Sequence, residues 1–245
     1  MIPCLLLKEE GLVKTIKFKK PNYIGDPINA IRLFNEKEVD ELIFLDIEAT
    51  KKHTGPNMKL LSKIADQCFM PLCYGGGVST IQQMKEIYAL GFEKISLNTA
   101  AYMTPEFVQE AVRYFGSSSV VGAMDVMTLK GGKKSVRFVN GTKKTETDPS
   151  VYAKELEKLG VGEILINDIS HDGMMEGYDY GMIRDVSSQV NVPIIACGGA
   201  GSIEDCKKVI ESGASAAAAG SLFVYWGRLN AVLINYPDNE LKNII

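Results

Sequence analysis

The chain has 245 residues, 46% hydrophobic and 23% charged, with a formal net charge of -3. These are ordinary globular values that exclude a disordered or collagen-like chain. The slightly acidic balance gives no general attraction to phosphate backbones or anionic lipid, so nucleic acid is not an expected partner.

The first apolar run, residues 2–7, is broken by Lys8, Glu9 and Glu10, too short for a secretory core and with no basic segment before it. No stretch approaches the roughly 20 apolar residues of a membrane helix, so a cytoplasmic chain is expected. The five cysteines are scattered and lack C-x-x-C spacing, which reads as reduced, buried thiols. With His53 and His171 as the only histidines, neither a zinc site nor a histidine triad is favoured. No metal or organic cofactor is expected.

Taken in order, short β-rich runs alternate with helical patterns. Strands are predicted at 2–7, 41–46, 71–73, 94–97, 120–125, 163–167, 193–197 and 216–219. Helices are predicted at 57–68, 80–90, 105–115, 149–159, 181–189 and 203–212, with caps at Ser79 or Thr80, Thr104 and Asp148. Eight strands with intervening helices, undivided by a linker, predict one (β/α)8 barrel over residues 1–245. Segment 128–147 is long for a loop and carries Asn140-Gly141, which predicts a hairpin inserted after the fifth strand, either a lid or a solvated ornament.

A shift of 122 residues lays one half of the chain over the other. Ile43-Phe44-Leu45-Asp46-Ile47 falls on Leu165-Ile166-Asn167-Asp168-Ile169, and the Gly75-Gly76-Gly77 segment falls on Cys197-Gly198-Gly199. Asn98-Thr99-Ala100 falls on Gly220-Ser221-Leu222. The matched segments are strand ends and the loops after them, which form the catalytic face of such barrels. Glycine turns also serve purely conformational ends, but their repetition suggests two anion cradles at one mouth, spanned by a ligand with a phosphate at each end.

Asp46, Asp125, Asp168 and Asp172 stand at or just past strand ends. Asp125 closes the apolar run Val120-Val121-Gly122-Ala123-Met124, where desolvation would raise its pKa toward an acid/base range; a cap on backbone amides is the alternative. Asp172-Gly173 reads first as a turn pair. Glu41, Lys94 and Glu163 start three strands, and a salt-bridge layer is the simplest reading of them.

From Pro3-Cys4-Leu5 and Gly25-Asp26-Pro27 to Asp172-Gly173, Gly198-Gly199-Ala200-Gly201 and Ser221-Leu222-Phe223, the chain resembles the HisF-type cyclase subunit of imidazole glycerol phosphate synthase. The resemblance implies a barrel paired with a HisH-like glutaminase, whose ammonia enters at the strand starts and meets a bisphosphorylated substrate at the opposite mouth. It further implies one phosphate site at Gly77, Asn98 and Thr99 and another at Asp172, Gly173, Gly199, Gly220 and Ser221. Lys14 matches a mobile-loop lysine. Glu41, Lys94 and Glu163 match three of four ammonia-gate residues; the fourth, an arginine before the first strand, has no counterpart, so the start is shortened or the gate differs.

One departure bears on activity. The family motif Pro-Cys-Leu-Asp supplies one of two cooperating carboxylates, whereas this chain has Leu6 there; Asp125 matches the other. Pro3-Cys4-Leu5-Leu6-Leu7-Lys8 and Gly11-Leu12-Val13-Lys14-Thr15 resemble the WbuZ-type branch, which is associated with amidation of surface-polysaccharide sugars and a separate N-sugar amidotransferase. The resemblance thus implies an ammonia-channelling subunit, with a histidine-pathway cyclase and a phosphometabolite-binding regulator of a glutaminase as alternatives. It leaves open whether the chain is itself an enzyme.

Overall fold

The computed structural model describes residues 1–237. Eight parallel strands close into a barrel: β1 (Ile2–Lys8), β2 (Leu42–Asp46), β3 (Leu72–Gly75), β4 (Lys94–Leu97), β5 (Val120–Thr128), β6 (Glu163–Asp168), β7 (Ile194–Cys197) and β8 (Ala216–Ala219). Closure is made by β8 on β1, where Ile2 faces Ala218 and Pro3 faces Ala219. The predicted starts of β3 and β7 move in by one residue because Pro71 and Pro193 have no N–H to contribute. Their carbonyls still accept from Leu42 and Ile164.

Helices cover the outside. Thr80 and Gln83 make a reciprocal capping box ahead of Ile81–Ala89, Asp148 caps Pro149–Leu159 and Asn57 caps Met58–Ala65. Thr104 precedes Pro105–Phe115 but makes no side-chain capping bond, so the proline at the first position and the amphipathic face carry that helix start.

Beyond the short helices Ala49–Lys52, Thr99–Met103, Ser117–Ser119 and Ser221–Val224, three features had no counterpart in the sequence reading. One is the helix Pro27–Glu36, capped by Asp26. Another is an antiparallel extension of β1 through Gly11–Ile16 and Lys19–Gly25. The third is a short hairpin pairing Tyr225–Trp226 with Ala231–Val232. The hairpin after β5 is present: Lys134–Phe138 pairs back on β5 and forward on Lys143–Lys144.

Two apolar cores result. The larger lies between sheet and helices around Phe34, Phe44, Tyr74 and Phe223. The smaller fills the barrel interior, where Ile43, Val121, Leu165 and Ile195 alternate with the small residues Cys4, Cys73, Ala123 and Ala218. The 122-residue repeat is structural as well. A Cβ on Gly76 would sit 2.6 Å from the Asp46 carbonyl oxygen, and one on Gly198 would sit 2.7 Å from that of Asp168. Both glycines have positive φ, so the close approach and the backbone conformation each require glycine.

Candidate active site at the barrel mouth

The C-terminal strand ends surround a cavity of about 110 Å³ lined by Leu6, Asn98, Asp125 and Asn167 and by the first glycine cradle. In that cradle the Gly77 amide donates to the Thr50 hydroxyl at 3.2 Å, while the Thr99 hydroxyl accepts from the Val139 amide at 3.0 Å. An anion here competes with a hydroxyl, a replaceable partner. The hairpin after β5 reaches this site: Asn140 lines the cavity and donates to the Ile47 carbonyl at 3.2 Å.

The second cradle surrounds a smaller space of about 20 Å³, with Asp172, Gly173, Gly199, Gly220, Ser221 and Lys14 on its walls. Lys14 is buried, its ammonium 3.4 Å from the Cys4 carbonyl and so close to Gly220 that a Cβ there would collide with it. Asp172 does more than form a turn. Its carboxylate accepts from the Thr15 hydroxyl at 2.7 Å and the Phe18 amide at 3.1 Å, and its carbonyl accepts from the Lys17 amide at 2.9 Å. It fastens the β1 extension, and Lys14 with it, across the mouth.

Asp125 is buried, and desolvation pushes its carboxyl up to about 7; the Asn98 amide draws it down and the Asp172 charge pushes it up. The amide-capping alternative belongs to its neighbours instead. Asp46 accepts from the amides of Glu48 and Ala49, and Asp168 accepts from the Ser170 amide while holding His171 Nδ1 at 2.6 Å. Asp168, His171 and Asp179 have ligand-type atoms within 4.8 Å of one another, and Asp179 is paired with Lys134 at 2.5 Å.

The register locates the missing carboxylate. Leu6 pairs with Leu45, and Asp125 pairs with Asn167. Leu45 and Asn167 are mates in the 122-residue repeat, so Leu6 and Asp125 occupy equivalent places in the two halves. A symmetric pair of positions thus holds one ionisable side chain and one hydrocarbon.

At the strand starts, Lys94 Nζ lies 3.2 Å from Glu41 Oε2 and 2.8 and 3.0 Å from the Glu163 oxygens. Burial pushes the Glu41 carboxyl up although Lys94 pulls the other way. Glu41 and Glu163 are also repeat mates. Burial dominates the upward shift at Cys73, whereas the Cys197 thiol is raised first by its hydrogen bond with Cys4 and then by burial, so neither acts as a ready nucleophile. No helix among the described residues is long and apolar enough to cross a membrane.

A closed parallel barrel with paired glycine turns around a buried carboxyl at its C-terminal mouth defines a (β/α)8 protein. Residues 1–230 match the histidine biosynthesis protein family. The chain is 52% identical over 239 residues to a Pseudomonas aeruginosa protein provisionally named imidazole glycerol phosphate synthase subunit hisF2, covering 97% of this chain and 95% of the relative. It is 45% identical over 244 residues to a provisionally named hisF3 subunit of Vibrio vulnificus (99% and 94% covered) and 47% identical over 247 residues to a provisionally named HisF subunit of Leptospira borgpetersenii (100% and 97% covered). The chain belongs to the HisF-type branch of the histidine biosynthesis protein family.

Proposed function

We propose that this chain is the synthase-like barrel subunit of a cytoplasmic glutamine amidotransferase complex. A HisH-like glutaminase docks at the strand starts, and ammonia passes the Glu41–Lys94–Glu163 cluster and the small-residue interior to reach the mouth. There it serves amidination of a surface-polysaccharide sugar, with an N-sugar amidotransferase as a further partner. Gly77, Asn98 and Thr99 form one anion site of this reading, and Asp172, Gly173, Gly199, Gly220 and Ser221 the other. Lys14 acts from the β1 extension, where it is buried on the wall of the second site and not in a mobile loop.

The observation that carries the reading is Leu6 at the place that mirrors Asp125. One positioned acid/base group contributes roughly 10²–10⁴-fold, so a hydrocarbon there removes turnover on that order while leaving a conduit intact. The purified chain, given ammonium ions and the bisphosphorylated cyclase substrate, is expected to release no aminoimidazole product. Leu6→Asp is expected to gain that activity. Brisk release by the unaltered chain would sink the proposal.

The retained Asp125 and both cradles favour a second reading, a working histidine-pathway cyclase. It requires a substitute for Leu6, and the candidates Asp46 and Asp172 already hold backbone amides. Turnover by the unaltered chain that vanishes in Asp125→Asn is the outcome this reading demands.

A further inference from the structure

The two mouth cavities share two lining residues, Leu6 and Asn167. These form the ridge over which any ligand held at both cradles must pass. Leu6 offers only hydrocarbon, so the polar contact from the ridge falls to Asn167. Asn167 is 7% exposed, and its Oδ1 has no hydrogen-bond partner among the described residues. A buried amide oxygen left unpaired is destabilising, and a bound donor removes that cost.

The surroundings indicate the donor. Asn98 Oδ1, on the same cavity, is also buried without a partner among the described residues, and the Asn98 side chain helps hold the Asp125 carboxyl down. Asp125 is the register partner of Asn167 on the adjacent strand. The middle of the mouth is therefore rich in acceptors, while the two ends offer amides, hydroxyls and the Lys14 ammonium. Asn167 Oδ1 rests against Gly198, within 3.2 Å of where a Cβ would stand, and breaks no hydrogen bond if the amide turns over to face the cavity. Below it the wall is Leu165 and Ala123, with Cys197 beside it on the adjacent strand, all apolar. The Asn167–Asp125 pair thus stands above that wall, with the Ser96 hydroxyl lower on the cavity at the level of Val121.

We propose that Asn167 is the exit acceptor for ammonia, holding it or its ammonium form by N–H donation to the Asn167 amide oxygen and Asp125, with Asn98 completing the cage. Asn167 is a positioning residue that places nitrogen on the ridge beside Leu6, between the two anion sites. The proposal rests on the ammonia-conduit reading for its purpose.

The test uses the isolated full chain, isotope-labelled, with Asn167 and Asp125 side-chain resonances assigned through Asn167→Leu and Asp125→Asn. Ammonium chloride is expected to shift both resonances saturably. Potassium chloride at equal ionic strength, an ion of similar size without N–H groups, is expected to leave them in place. Asn167→Leu should abolish the ammonium response of Asp125, and Asn167→Ser, which keeps an acceptor oxygen, should recover part of it. A response to potassium equal to that of ammonium, or no saturable response to ammonium, overturns the proposal. The two readings fail separately, because this titration needs neither glutaminase nor acceptor, whereas the sugar-amidation reading fails on product release by the unaltered chain.

Discussion

Asp125 is a buried carboxyl whose ionisation the fold opposes, and that gives it a defined pH signature. Its folded pKa, near 7, lies above the ordinary carboxylate value. The unfolded chain therefore loses this proton first, and the stability associated with it declines as pH rises from the unfolded value toward 7. Asp125→Asn removes the titration. Urea denaturation should show the variant gaining on the parent between pH 5 and pH 8, by an amount on the order of a few kcal/mol. A pH-independent difference between the two would contradict the burial of an ionisable group there. Gly76 shows a different residue-scale constraint, a steric one. Gly76→Ala places a methyl group against the Asp46 carbonyl in a left-handed backbone conformation, and a loss of about 2–4 kcal/mol in the same denaturation assay is expected.

At the scale of elements, the β1 extension depends on a residue far away in the chain. Its turn places Lys17 and Phe18 at positive φ, which neither side chain favours, and Asp172 compensates by binding both backbone amides. This explains why the hairpin was not legible in the sequence: the usual Asn-Gly or Asp-Gly turn signal is absent, and the stabilising partner lies 154 positions away. The β5 hairpin, by contrast, carries Asn140-Gly141 and was readable. Asp172→Ala should raise amide hydrogen exchange across Gly11–Ile16 and Lys19–Gly25 by about tenfold or more, with little change in the barrel strands. Equal loss of protection throughout would mean that Asp172 supports the whole fold instead of this extension.

Across the whole molecule, the barrel separates two polar ends by an apolar interior. The lower end is the Lys94 cluster, where one ammonium serves two partly buried carboxylates. Lys94→Met leaves Glu41 and Glu163 facing each other without a counter-ion. Partial solvation limits the damage, and a loss of about 1–3 kcal/mol is expected, relieved when Glu41→Gln is added. Thermal unfolding of the single and double variants checks this. The upper end is asymmetric: the half-barrels place their carboxyl positions equivalently, but this chain fills one with Leu6 and the other with Asp125. The separation gives the molecule two polar ends with the apolar interior between them.

Element order, the eightfold alternation, the half-chain repeat and the leucine at position 6 were present in the sequence itself, because periodicity, caps and glycine turns are local properties. The equivalence of Leu6 and Asp125, the fastening by Asp172, the unpaired amide oxygen of Asn167 among the described residues and the crowding of Lys14 into the second cradle were decided by tertiary structure. Each depends on strand register and barrel closure, which bring residues more than a hundred positions apart into contact, and no local pattern encodes which of them meet.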